Sequence, residues 1–512
     1  MKKQIIYIAI IGALLTFNAC ESIIEEKVFT ELDQQSVFNS VEGCDAAING
    51  VYAGLMDNNM FGTYVPFVNT FYSVLYTRNN LSMTNNFTDG SGMLYFGEVW
   101  KAYYRTINQL NGVIAGTSLA GIKQTDKDRI LGEAYFLRAI MYFDLVRYYG
   151  GVPVKTEPTT PANINTPKSP VDSVYAQVIR DIDKSKLLLV DAGKQKTGRP
   201  HKMAAYALAQ KVYLTLASND PASPYWKKSL DEGLVVYNSK AYKLVSSFVN
   251  LWNLTTQNST EGILEIQNSL GKTNGASLTR FFLPISTLTP LADTWGRTKV
   301  NKEVFDKQLN RYPGDPRITA TYLAYKYTPR SNPNTTWNLY PTQKTGVTSF
   351  TYIQKYVDPQ YAGGGSRNNF IYLRYADVLL MLAEAENEIN GPANAYQYVN
   401  EVLTRARGAG TQPANWTGLS QVTFRDRIMD ERTFELIGEM HDYFDARRRG
   451  KDFLKSRIEY HNTYPANVAN AAFEYTIATD DATLNRAMLL PIPLIEMTSN
   501  SALKPEDQNP GY

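Results

Sequence analysis

The 512-residue sequence holds only two cysteines, Cys20 and Cys44, and three histidines, His201, His441 and His461. Two cysteines cannot staple a chain of this length, and Cys44 is left without a partner if Cys20 is modified. The histidines fall in neither HxxxH nor HExxH spacing, which excludes the usual helix-borne zinc sites. Beyond the first twenty residues no run approaches eighteen apolar positions, so no later segment reads as a membrane-crossing helix. Formal charge is also scarce. It stands at +3, and removal of Lys2 and Lys3 with an N-terminal leader leaves +1. That balance supplies no counterion-release drive toward nucleic acid, and none is expected as a partner.

Apolar residues make up 44% of the chain and charged residues 20%, the balance of a folded protein rather than a disordered one. Length alone would divide it into about three domains. Aromatics are plentiful, with 35 Tyr and 6 Trp. Each combines a flat apolar face with a polar edge. Most should fill helix interfaces, and the exposed remainder would suit a sugar.

The N-terminus, "MKKQIIYIAIIGALLTFNACESIIEE", places two lysines before the apolar run Ile5 to Phe17 and reaches Ala19-Cys20 after Asn18. The run is too short to span a bilayer and reads as a signal peptide over residues 1–19. A cysteine directly after a small residue resembles the lipobox of bacterial lipoproteins, although Phe17 and Asn18 stand where Leu and Ser or Ala are usual. Cys20 is then the expected lipid anchor, carrying acyl chains such as palmitate. Glu21, Glu25 and Glu26 resemble the acidic signals that send lipoproteins to the cell surface.

Helical periodicity dominates the rest of the chain. "SVEGCDAAINGVYAGLMD" has Ser40 as N-cap and sets Ala46, Ile48, Val51, Tyr52 and Leu55 on one face. "GEVWKAYYRTINQLNGVIAG" does the same with Val99, Tyr103, Ile107, Leu110 and Ile114. "RILGEAYFLRAIMYFDLVRYYGGVPV" is a helix stopped at Gly150-Gly151. "SPVDSVYAQVIRDIDKSKLLL" should start with Ser169 as cap and Pro170 at the first helical position. "KMAAYALAQKVYLTLAS" comes next. "NFIYLRYADVLLMLAEAENEING" reads as one helix ending at Gly391-Pro392, and "ANAYQYVNEVLTRARG" as another ending at Gly408. Paired helices of this length suggest a tetratricopeptide-like array. Between Tyr242 and Arg367, and again from Asp452 to Thr483, the texture turns irregular, as binding loops carried on a scaffold do.

These motifs together resemble the SusD/RagB family of outer-membrane lipoproteins. They include "GEAYFLRAIMYFDLVRYYGGVPV", "GRPHKMAAYALAQKVYL", "LRYADVLLMLAEAENEING", "VNEVLTRARG", "IMDERTFELIGEMHDYFDARRRG", "LLPIP" and the terminal "QNPGY", in the family's order over nearly the whole chain. The resemblance implies a mainly α fold, a tetratricopeptide-like scaffold with an inserted mixed ligand-binding subdomain. The expected division is a tether at 20–39, a helical part at 40–240, the insertion at 241–366 and a second helical part at 367–512. It implies a non-catalytic, surface-exposed outer-membrane lipoprotein, anchored in outer-membrane lipid through Cys20. Such a protein captures oligosaccharides for a SusC-like TonB-dependent transporter. Peptide capture by a RagB-like member of the same architecture is the alternative.

Three stretches tempt a chemical reading. "ERTFELIGEMHDYFDARRRG" packs nine charged residues and one histidine into positions 431–450, and a helix would put His441 near Asp445 and Glu435 near Glu439. The better reading is a helix whose Glu431, Glu435, Arg447, Arg448 and Arg449 pair with neighbouring helices, giving scaffold rather than a metal site. Glu384 and Glu388 could be a glycosidase pair, which needs carboxylates about 5 to 9 Å apart, but no aromatic or amide cluster accompanies them. "YAGGGSRNN" lacks the Lys-Ser/Thr of a phosphate loop. No cofactor is expected, and whether a calcium ion orders the loops is left open.

A pyranose presents an apolar C–H face and a rim of hydroxyls, so its site needs exposed rings beside amide and guanidinium groups. "YTRNNLSMTNNFTDGSGMLYFG" offers Arg78, Asn79, Asn80 and Tyr95 in a loop. "ADTWGRTK" offers Trp295 and Arg297, and "TTWNLY" offers Trp337. Trp100, at a helical position in "EVWKAYY", is expected to pack.

Overall fold

The computed structural model describes residues 37–512 except 79–85, 269–277, 285–292, 330–331, 347, 362, 364 and 465–474. Cys20, Asn79 and Asn80 lie outside the described residues. Among the described residues seventeen α-helices carry the fold, and the strands are short and form four separate two-stranded antiparallel pairs. No described helix is long and apolar enough to cross a membrane.

The helices Leu94–Leu119, Gln124–Tyr149, Val171–Leu188, Lys202–Ala217 and Tyr225–Ser239 pack in succession, each on the next. Tyr375–Asn390 then lies against 202–217 and 225–239 and receives Pro392–Arg407 and Gln421–Leu436. The faces foreseen from helical spacing are largely the buried ones: Val99, Tyr103, Ile107, Leu110 and Ile114 are all in the core. Ala46 is the exception. It is exposed, and Cys44, one turn before Ile48, takes the inward position. The 124–149 helix is buried on every side from Ile130 onward and stops at Gly150, whose φ of 70° favours glycine. One apolar core runs from Cys44 to Leu503 and crosses both expected boundaries, at 240 and at 366.

Three local expectations are corrected. Ser169 does not cap the helix Val171–Leu188. Its backbone bridges to Val152, and Pro170 takes the cap position. Phe370–Arg374 is a strand, not the first turns of the following helix. Its aromatic and β-branched residues pair with Gly262–Ile266, and both faces are buried. The stretch 452–483 is not irregular throughout, since Lys451–Thr463 is helical.

The charged segment 431–450 is likewise two helices rather than one. The first ends at Leu436, Gly438 and Met440 adopt positive φ of 86° and 67°, and Asp442–Arg448 begins a second. Glycine suits position 438, because a side chain there would be strained at φ of 86° and its Cβ would press on Ile353 at 3.1 Å. The break turns Glu439 back toward Glu435, and the two share a buried ion network. Glu435 accepts from Arg374 at 2.7 Å, Arg317 at 3.0 Å and Arg405, while Glu439 accepts from Arg374 at 2.6 Å and Lys355 at 2.7 Å. Glu261 also accepts from Arg374 and Arg405 at 2.8 and 2.9 Å. Apart from Arg405, which is 4% exposed, these side chains are wholly buried. Burial pushes the Glu435 carboxyl up, but the guanidinium groups of Arg405, Arg374 and Arg317 outweigh it and hold it well below the usual carboxylate range.

The segment holds no metal cluster. Among the described residues no group of three or more His, Cys, Asp and Glu could hold an ion. Burial, with Lys211 3.1 Å away, pushes His441 down to about 3, so its neutral ring accepts from the Lys211 ammonium. Arg448 and Arg425 grip Glu384 and Glu388 in two-pronged bonds, so both carboxylates are neutralised structural groups. Arg447 departs from the ion-pair expectation, donating instead to the carbonyls of Tyr443 and Tyr72 at 2.9 Å.

Buried and exposed charges should differ sharply when broken. Arg374→Met removes the cation that Glu435, Glu439 and Glu261 share, which Arg405, Arg317 and Lys355 only partly replace, and should cost about 3–5 kcal/mol in chemical unfolding. Breaking the exposed pair Arg105 to Asp57 with Arg105→Ala should cost under about 1 kcal/mol. Asp442 is buried and forms no ion pair among the described residues, and burial pushes it up to about 6 from an ordinary 3.8. The folded state therefore binds the extra proton, and stability should fall as pH rises from about 4 through 6. Asp442→Asn should abolish that slope in unfolding free energies measured across the same pH range.

Candidate functional site

A cavity of about 200 Å³ opens between the helix Tyr64–Phe71, the start of 94–119, the short helix Leu278–Phe282 and the segment 293–297. Its wall is a relay of rings. Tyr64 meets Tyr95 edge-on at 5.1 Å, Tyr95 meets Phe67 at 5.0 Å, Phe67 meets Phe281 at 4.9 Å, and Phe281 meets Trp295 edge-on at 5.4 Å. Phe67 and Phe281 are buried, while Tyr64, Tyr95 and Trp295 are half-exposed and present apolar surface to the cavity. Tyr95 lies not in a loop but in the first turn of its helix, which fixes its direction.

Polar groups hold the indole. The Trp295 Nε1–H donates to Asp293 at 2.9 Å, and the same carboxylate accepts from Arg280, which also donates to the Tyr361 hydroxyl at 2.8 Å. The guanidinium carbons of Arg280 and Arg297 lie 4.7 and 5.2 Å from the Trp295 ring centre. Gly296 turns the chain with φ of 58°, and its carbonyl accepts from the buried Lys299 ammonium at 3.0 Å. Burial and the neighbouring Arg297 push Lys299 down to about 7. Exposed Asn58 and buried Thr63 complete the rim.

A strand pair adjoins the site through Arg297. Tyr76–Arg78 runs antiparallel to Thr298–Val300 with Arg78 opposite Thr298. Tyr95, Trp295 and Arg297 line one cavity. Trp337 is elsewhere. It sits in the two-residue strand Trp337–Asn338, edge-on to Tyr327 at 6.3 Å, against a separate cluster of Tyr327, Leu339, Phe350 and Tyr352. Trp100 is 2% exposed and donates to Glu496 at 3.2 Å, as packing demands. Sequence reasoning passed over Tyr64, Arg280 and Asp293. The motif "TRFFLP" carried a signal for Arg280, a guanidinium next to two aromatic residues. Among the described residues, two larger clefts of about 370 and 290 Å³ do not set an indole beside a guanidinium group.

A profile of the SusD family matches residues 261–512, and a second, described as starch-binding and associating with the outer membrane, matches 25–214. The chain belongs to the SusD-like family. SusD-like protein P2 of Formosa agariphila is 28% identical and aligns over the full length of both chains. The crystal structure of a SusD homolog from Bacteroides thetaiotaomicron superposes with a TM-score of 0.78 at 20% identity, covering 94% of this chain and 99% of the other. A laminarin-binding SusD-like protein superposes at 0.69 with 23% identity, over 93% and 100% of the two chains. The SusD-like fold of these structures is the same mainly helical one. Its terminal signature also has a structural role: in "QNPGY" the Asn509 amide donates to the carbonyls of Tyr149 and Leu490, locking the C-terminus onto the central helix.

Proposed function

We propose that this SusD-like protein is a non-catalytic glycan-binding lipoprotein of the outer membrane, anchored at Cys20. It would take up oligosaccharide at the cell surface and hand it to a SusC-like TonB-dependent transporter. The observation that carries the reading is the cavity itself, where half-exposed Trp295, Tyr95 and Tyr64 alternate with Arg280, Arg297 and Asn58. A sugar ring stacks its C–H face on such rings while guanidinium and amide groups meet its hydroxyls. The family description of starch binding at the outer membrane and the laminarin-binding structural neighbour support the same ligand class. Asn79, Asn80 and Arg78 would extend the site from the strand pair that adjoins it, and the region 241–366 would serve as its ligand-binding part. No carboxylate pair lines the cavity among the described residues, which favours binding over hydrolysis. Peptide capture is the second reading within the family.

Separate Trp295→Ala and Trp337→Ala variants test this by calorimetry against oligosaccharides from starch, laminarin and xylan. Trp295→Ala should weaken binding at least about tenfold with little change in melting temperature, and Trp337→Ala should leave it unaltered. Undiminished binding in Trp295→Ala would refute the site, and peptide-library hits that Trp295→Ala abolishes, with none among oligosaccharides, would replace the ligand class.

A further inference from the structure

We propose that a second cleft, separate from the aromatic cavity, binds a small zwitterion, a free amino acid or short peptide, with Lys155 taking its carboxylate and Glu496 its ammonium group. The cleft lies between the helix 94–119, the segment 153–165 and the helix Leu494–Ser499, and encloses about 370 Å³. That is within the range of small-molecule sites and exceeds the aromatic cavity.

The argument rests on two opposed charges that face each other across the cleft without meeting. Lys155 and Glu496 both line it and feel one another electrostatically, yet no ion pair within 4.0 Å joins them. Each is held by neutral partners. The Lys155 ammonium donates to the Ile164 carbonyl at 2.8 Å, and Glu496 accepts from the Trp100 indole at 3.2 Å and the Asn500 amide at 2.8 Å. Both side chains are half-buried, so water screens them incompletely, and burial lowers the Lys155 proton affinity. A half-desolvated ammonium and carboxylate, fixed apart by such bonds, are complementary to a ligand that carries both charges in the opposite order. Each retains capacity for it, since the ammonium has three protons and the carboxylate about four acceptor positions.

The remaining walls suit the same ligand. Ile164, 55% exposed, gives an apolar surface for a side chain, with the buried Ile107 and Pro153 also lining the cleft. The Asn108 carbonyl oxygen is committed to the Thr159 N–H at 2.7 Å, which leaves its NH₂ to donate to a peptide carbonyl. A neutral sugar would meet both groups only through its hydroxyls, without the charge pairing that a zwitterion gains.

The test uses the full chain carrying Trp295→Ala, which silences the aromatic cavity, and titrates leucyl-leucine, its C-terminal amide and its N-acetyl form by calorimetry. The free dipeptide should bind at least about tenfold more tightly than either blocked form. Lys155→Met should erase the preference over the amide while keeping that over the N-acetyl form. Glu496→Gln, which preserves the acceptor for Trp100, should do the converse. Absence of binding by the free dipeptide and by a set of free amino acids at millimolar concentration would overturn the proposal. So would affinities indifferent to blocking, or a preference unchanged in both variants. None of these outcomes bears on glycan binding at Trp295, which is read in the chain without that substitution.

Discussion

The structure turns on the Arg374 guanidinium, which is wholly buried and donates to Glu261, Glu435 and Glu439 at once. Stripping an arginine and three carboxylates of water is expensive, and the cost is recovered only because Arg317, Lys355 and Arg405 share the negative charge with good geometry. The partners come from distant parts of the chain. Glu261 precedes one strand, Arg374 ends its partner, Arg317 begins a short helix, and the glutamates belong to the broken helix and its turn. An ion network of this kind tolerates little displacement, so it fixes the irregular middle of the chain to the helical array.

That constraint reaches the aromatic cavity through hydrogen bonds and strand pairing. Gly438, in the turn between Glu435 and Glu439, donates to the Tyr76 hydroxyl at 2.8 Å, and Tyr76 pairs with Val300 in the strand pair that adjoins the site. Val300 in turn bridges to Thr351, four residues before Lys355. From this pair the chain leads back through Lys299 and Gly296 to Trp295, whose indole is set by Asp293 and Arg280. The rings that would meet a ligand are held from behind, so little ordering is left to be lost on binding.

Much of the helical array was legible because it is written locally. Spacing identified Leu110 and Ile114 as inward, and Gly150, Gly391 and Gly408 as stops, since helix faces and positive-φ glycine termini depend on neighbours within a turn. Phe370–Arg374 was misread because a short apolar run looks the same as a strand or as a buried helical turn, and its partner lies a hundred residues away. The break at Gly438 was hidden for a related reason. Charges spaced for a helix on both sides give no local sign that Glu439 folds back. At the site, Trp295 and Trp337 sit in similar loop text, yet only Trp295 finds Phe281 and Arg280, and that choice is tertiary.

The most direct test is amide hydrogen exchange with and without a saturating mixture of oligosaccharides. The account predicts protection in peptides covering 58–67, 94–97 and 278–282 with 293–299, the segments that build the ring relay and its turn. Protection confined to other surfaces, such as 326–340 around Trp337, with those segments unchanged, would contradict it.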